Sequence, residues 1–217
     1  MYFCLQIQTL RRMKTDKWTK EETLLALDIY FREPQGVKPA DNPEVIRLAK
    51  ILDTTPEAVC RRQNGFKQWY PVLPFEGDGA KKKDGVDPVI WNHYFAHPET
   101  VHQEAKVIDK EICTATLVLN LYYQLILDTM DERVPEVIEL AKRTGHTPTE
   151  IVAFLHSYAA LDPFMKSSVV SKASVPAIHQ TVWKRFSDDL DGLVATAEYI
   201  QTLFPVKRSN IRKRKKE

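Results

Sequence analysis

Residues 42–59 read NPEVIRLAKILDTTPEAV, and residues 134–151 read VPEVIELAKRTGHTPTEI. The second stretch starts 92 positions after the first, and the same offset relates further identical residues on both sides of these stretches. The pairs are Leu25 and Leu117, Leu27 and Leu119, Tyr30 and Tyr122, Pro71 and Pro163, and Trp91 and Trp183. Because a single offset without a gap relates all of them, the sequence predicts an internal duplication.

The residues around the first stretch carry the start signals of three helices. Thr19 and Glu22 form a capping-box pattern, and Asn42 and Thr55 are each followed by a proline, which is favoured in the first turn of a helix. The third helix is predicted to run to about Gln68, after a turn of about three residues. Two helices joined in this way form a helix-turn-helix.

The repeat and these signals together predict an all-α fold of two tandem helix-turn-helix modules. We expect module one to span residues 18–109 and module two, a degenerate copy, to span residues 110–204. Residues 1–17 are interpreted as an N-terminal extension, and residues 205–217 as a basic tail.

The composition indicates a soluble protein with a packed core. Hydrophobic residues make up 43% of the chain and charged residues 28%, close to the averages of globular proteins. The longest nearly apolar stretch is too short for a membrane span, and the N-terminus lacks the charge order of a secretory signal. We therefore expect a cytoplasmic protein without membrane partners.

Charge is distributed unevenly along the chain. Residues 111–200 hold 7 basic and 12 acidic side chains, a net charge of −5, whereas residues 201–217 hold 7 basic and 1 acidic, a net charge of +6. A basic tail of this density attracts polyanions, although it can equally be a solvated extension.

The third helix of module one has the composition of a DNA-recognition helix. Its predicted outward face carries Arg61, Asn64 and Gln68, which can form bidentate contacts with base edges. The cations assigned to phosphate contacts are Arg62, Lys67, Lys81, Lys82, Lys83, Lys207, Arg208, Arg212, Lys213 and Arg214. The alternative is an ordinary solvated helix face.

Module two differs at the matching positions, where it has neither cations nor bidentate donors. These positions are Thr149, Val152, Ala153, His156 and Ala160. The copy is therefore predicted to contact a protein partner, to self-associate, or only to preserve structure.

No residue pattern points to catalysis or to a cofactor. His93, His97 and His102 have partly ligand-like spacing, but no HExxH or similar motif completes them. We predict no catalytic residues, metal ligands or cofactors, and keep a metal nuclease using these histidines as a third hypothesis.

Residues 18–100 resemble a known helical module. WTKEETLLALDIYFREPQG followed by NPEVIRLAKILDTTPEAVCRRQNGF is similar to the module that precedes the HNH nuclease domain in some bacterial restriction-type endonucleases, and WTKEE is similar to the start of Myb/SANT-type domains. The resemblance implies binding of double-stranded DNA by a Myb-like helix-turn-helix. No His-Asn-His cluster follows, so nuclease activity is not implied.

Together these observations predict a non-enzymatic, nucleoid-associated DNA-binding protein of bacterial or phage type, acting in transcription regulation or restriction. The alternative is a protein-interaction adaptor or accessory subunit of a defence or repair complex, acting through module two.

Overall fold

The computed structural model describes residues 18–33, 38–67, 91, 94–125, 130–165 and 174–204. Within these ranges all regular secondary structure is helical and no strand occurs, which confirms the predicted all-α class for this part of the chain. No helix in these ranges is long and apolar enough to cross a membrane.

The chain divides into two compact units, Met1–Ala105 and Lys106–Glu217. The helices of the first unit are α1 (Lys20–Phe31), a short 3-10 helix (Pro39–Asp41), α2 (Pro43–Ile51), α3 (Pro56–Lys67) and the beginning of α4 (Pro98–Gln124). The second unit contains the remainder of α4, α5 (Pro135–Thr144), α6 (Pro148–Leu161), α7 (Ala177–Phe186) and α8 (Leu190–Leu203).

The helices of the first unit begin where the capping signals predict. The hydroxyl oxygen of Thr19 accepts from the backbone N–H of Glu22 at 3.3 Å, and the Glu22 carboxylate accepts from the Thr19 N–H at 3.1 Å. Asn42 Oδ1 caps α2, and Thr55 Oγ1 caps α3 by accepting from the Ala58 N–H at 3.2 Å. These oxygens satisfy N–H groups that have no partner inside the helix.

Helix α6 of the second unit begins with a similar capping box, formed by Thr147 and Glu150. Gly145 ends α5 with a φ of 72°, a left-handed conformation that glycine adopts without steric cost. Helices α5 and α6 begin at Pro135 and Pro148. Each of these prolines lies 92 residues after the proline that begins α2 or α3.

The region corresponding to α1 has a different start in the second unit. Lys110 to Thr114, which stand in place of the WTKEE sequence, lie inside the 27-residue helix α4. No glycine or proline occurs between residues 99 and 124, so nothing in the backbone interrupts the helix. The counterpart of α1 is therefore the C-terminal part of a longer helix.

Each unit contains a cluster of four aromatic rings in mutual contact. In the first unit Tyr30, Phe31, Phe66 and Trp91 make five ring contacts with centroid distances of 5.6 to 6.2 Å. In the second unit the rings 92 positions later make the same five contacts at 5.5 to 6.3 Å. These later rings are Tyr122, Tyr123, Tyr158 and Trp183. The two units thus share one pattern of aromatic contacts.

Candidate nucleic-acid interface

One side of helix α3 packs against the rest of the first unit. Val59 and Phe66 are fully buried, and Ala58 is nearly so, as the spacing of apolar residues predicts. Gln63 is also buried and donates through Nε2 to the carbonyl oxygen of Ala26 in α1, at a long 3.5 Å. Packing of this side holds the helix axis in place.

The opposite side of α3 carries three exposed polar residues, Glu57, Arg61 and Asn64. They follow one another at intervals of four and three residues, which places their side chains on one helical face. Arg61 and Asn64 are therefore accessible to solvent, as an interface for a large ligand requires.

Arg62, which the sequence assigned to phosphate contacts, is half-buried. Its Nη2 atom donates to the hydroxyl oxygen of Thr23 in α1 at 2.9 Å. Thr23 in turn donates through the same hydroxyl to the Thr19 carbonyl oxygen at 2.7 Å. Arg62 thus has a structural contact that its place in the sequence did not indicate.

Replacing Arg62 with alanine is expected to lower the free energy of unfolding by about 1–2 kcal/mol, because a partly buried hydrogen bond and the packing of a long side chain are lost. Chemical denaturation followed by circular dichroism measures this. Arg61→Ala is the matched control, since Arg61 is exposed and its loss should change stability by no more than about 0.5 kcal/mol. Equal destabilisation by both variants would contradict the structural role of Arg62.

Glu57 lies at the start of α3 and was not among the predicted site residues. Its own backbone N–H and the Thr55 hydroxyl donate hydrogen bonds to its carboxylate, and Arg61 adds an attractive charge. These contacts hold the pKa of Glu57 below its ordinary value, so the carboxylate is ionised near neutral pH. The acidic residue in the first turn was the signal that could have identified it.

Several other predicted contacts fall where the structure gives no side-chain position. Helix α3 includes the backbone of Lys67, but its side chain is not described. Gln68, Lys81, Lys82 and Lys83 lie outside the described residues, as do the tail cations Lys207, Arg208, Arg212, Lys213 and Arg214. Their assignment to DNA stays a prediction.

The histidines considered for metal binding have separate carboxylate neighbours. His102 Nδ1 lies 3.0 Å from Oδ1 of the buried Asp28, and exposed His97 lies 3.6 Å from Glu99. His93 lies outside the described residues. Among the residues with described positions, no group of three or more His, Cys, Asp or Glu could hold a metal ion.

Asp28 belongs to an ionic cluster that joins the helices of the first unit. Arg32 binds Asp28 through Nε at 3.1 Å and Nη2 at 2.6 Å, and it binds both carboxylate oxygens of Glu44 in α2 at 2.9 and 2.7 Å. Hydrogen bonds to these two carboxylates raise the pKa of Arg32 above its ordinary value. The cluster connects α1 with α2 and, through His102, with α4.

The corresponding face of α6 in the second unit is small and uncharged. Thr149 and Ala153 are exposed, whereas Val152 and His156 are half-buried. The expectation that Ala160 points outward is wrong, because this residue is only 7% exposed. The face that remains presents neither a cation nor a bidentate amide.

Comparison of the chain with protein-family models, curated proteins and solved structures gave no match. The function is therefore inferred from the residues of the chain and their geometry.

Proposed function

We propose that the chain binds double-stranded DNA through the exposed face of α3 in the first unit. The observation that carries this proposal is that Arg61 and Asn64 are both exposed on one face of a helix whose other side is buried. Arginine pairs with the two acceptors of guanine, and asparagine pairs with the acceptor and donor of adenine in the major groove. The two side chains therefore supply different base contacts from one surface.

The spacing of these residues suits neighbouring base pairs. Three helical residues advance the chain by about 4.5 Å, which is comparable to the rise of about 3.4 Å between base pairs. In this proposal α2 and α3 form the helix-turn-helix, α3 enters the major groove, and the basic tail contacts phosphates outside the groove. Binding would then weaken steeply with salt, because phosphate contacts release counterions.

The proposal includes duplication of a Myb-like module, with the DNA-binding face kept only in the first copy. The shared pattern of five aromatic contacts and the equivalent proline starts support the duplication. At the positions of Arg61 and Asn64 the second unit has Ala153 and His156, so it lacks the arginine and the amide that the proposed contacts need.

Combined replacement of Arg61 and Asn64 by alanine is expected to weaken binding to duplex DNA at least about tenfold, because two base contacts are lost together. Fluorescence anisotropy with the full chain and a labelled duplex, titrated at low salt, measures the change. Both residues are exposed, so the fold should be retained, and circular dichroism checks this.

The matched control is the combined change of Thr149 and His156 to alanine on the corresponding face of α6. This control should bind DNA like the unchanged chain. Absence of duplex binding by the unchanged chain at low salt would contradict the proposed function, and equal losses in both double variants would contradict its assignment to α3.

A second candidate function is protein interaction through the second unit. Among the described residues, five of the six exposed large apolar side chains belong to this unit, and Phe164 is 88% exposed. The five are Val107, Tyr123, Phe164, Leu190 and Val194. A large apolar side chain exposed to this extent, such as that of Phe164, is buried when another protein surface covers it, and this burial would stabilise a complex.

Light scattering after size-exclusion chromatography distinguishes the two candidates. A stable complex of defined composition that forms without nucleic acid, and that is lost when Phe164 and Leu190 are changed to serine, would support the second function. A monomer that binds duplex DNA would count against it.

A further inference from the structure

Three exposed residues share one face of α3: Glu57, Arg61 and Asn64. Glu57 is the acidic one among them. A carboxylate on a surface that binds a polyanion repels phosphate and lowers affinity. Its neighbour four positions later is Arg61, and side chains at this spacing lie about 5–6 Å apart at Cβ. Any phosphate bound by Arg61 therefore lies near this carboxylate.

The carboxylate is ionised near neutral pH. The backbone N–H of Glu57 itself, the Thr55 hydroxyl and the charge of Arg61 all lower the pKa of this carboxyl group. Thr55 also caps α3 by accepting from the Ala58 N–H, which fixes the Thr55 side chain. The negative charge is consequently a permanent part of the α3 surface.

We propose that Glu57 determines the sequence selectivity of this surface by opposing contacts of Arg61 with the phosphate backbone. This inference rests on the proposed DNA-binding function. In a non-specific complex Arg61 would bind phosphate, and Glu57 would lie beside the same group. In a specific complex α3 lies in the major groove, where Arg61 binds guanine and Glu57 can accept a hydrogen bond from the cytosine amino group. Repulsion between Glu57 and phosphate therefore lowers mainly the affinity for non-specific DNA.

The second unit provides a control residue, Glu150, which is an exposed glutamate without a neighbouring arginine at the position of Arg61. Glu150 is likewise an acidic residue in the first turn of a helix, one position after Thr149, which corresponds to Glu57, and it accepts hydrogen bonds from the backbone N–H and the hydroxyl of the capping residue Thr147. However, Ala153 occupies the position in α6 that corresponds to Arg61 in α3. Glu150→Gln therefore changes net charge as Glu57→Gln does, without altering an arginine surface.

The experiment is selection of duplexes from a random double-stranded library by the full chain and by its Glu57→Gln, Glu57→Asp and Glu150→Gln variants. Affinities for the enriched duplex and for a random duplex are then measured by anisotropy. For Glu57→Gln we expect non-specific affinity to rise about threefold and the ratio of specific to non-specific affinity to fall by at least that factor. Glu57→Asp keeps the charge and should retain most of the selectivity.

The result that supports the inference is a loss of sequence enrichment in Glu57→Gln but not in Glu150→Gln. If the unchanged chain binds duplex DNA and Glu57→Gln enriches the same sequence to the same extent, the inference is overturned while DNA binding stands. Equal effects of Glu57→Gln and Glu150→Gln would overturn it as well, because net charge alone would then explain the change. If the unchanged chain binds no duplex, the proposed function fails and the inference fails with it.

Discussion

Replacing Phe66 with alanine is expected to lower the free energy of unfolding of the first unit by about 3–5 kcal/mol. Phe66 is fully buried at the C-terminal end of α3, and its ring lies 5.7 Å from Tyr30 and 6.2 Å from Trp91. The truncated side chain would leave a cavity between two aromatic rings that cannot close around it. Because this contact holds α3 on the unit, the proposed DNA binding should be lost together with stability.

Calorimetry of the full chain measures this effect. We expect the transition of the first unit to move to lower temperature more than that of the second unit. The control is Phe164→Ala, the same chemical change at a side chain that is 88% exposed, which should cost no more than about 0.5 kcal/mol. If Phe66→Ala changed the stability of the first unit only slightly, the aromatic cluster would not be what stabilises the packing of α3.

The second large effect is expected at His179, which is buried in the second unit. Its ring stacks on Tyr158 with centroids 5.1 Å apart and meets the Phe154 ring edge-on at 5.0 Å. Its Nδ1 atom has no hydrogen-bond partner in the part of the chain that the structure describes. Burial lowers the pKa of His179 from 6.5 to about 4. The folded unit therefore keeps a neutral imidazole among aromatic rings.

The direction of the pH effect follows from this lowered pKa. Above pH 6.5 neither the folded nor the unfolded chain protonates His179 appreciably, so the residue adds no pH dependence. As the pH falls from 6.5 to about 4, the unfolded chain binds a proton that the folded chain does not bind. The second unit should lose about 3 kcal/mol of stability over this interval because of His179.

His179→Phe is expected to abolish this loss and to preserve the ring packing. His179→Gln should also abolish it but should lower stability at neutral pH, because the aromatic contacts are removed. Urea denaturation of both variants and the unchanged chain, at several pH values between 4 and 7, separates the two effects. An unchanged acid dependence in His179→Phe would show that the folded unit protonates this histidine as readily as the unfolded chain does.

The helix starts were predictable because their signals are local. Thr19 and Glu22 form the expected capping box, and α2 and α3 begin at the prolines that follow Asn42 and Thr55. Burial of Val59 and Phe66 also followed from the spacing of apolar residues along α3. Each of these features depends on residues within about one helical turn of one another.

The partners of the charged side chains were not predictable in this way. Arg61 and Arg62 are neighbours of the same residue type, yet one is exposed and the other donates to Thr23, 39 positions away. His102 lies beside Asp28 although 74 positions separate them. The contact of Arg62 with Thr23 depends on which side of α3 packs against α1. The contact of His102 with Asp28 depends on the packing of the beginning of α4 against α1.

The amino-acid sequence by itself determined the all-helical class, the starts of the main helices of the first unit and the identity of the polar residues on α3, because hydrogen-bond capping and apolar periodicity act over a few residues. Only the tertiary structure decided that Arg62 has a structural contact, that His102 lies beside Asp28, and that His179 is buried among aromatic rings. The physical reason is that burial and ion pairing depend on atoms brought together by packing, and packing joins residues that are far apart in the chain.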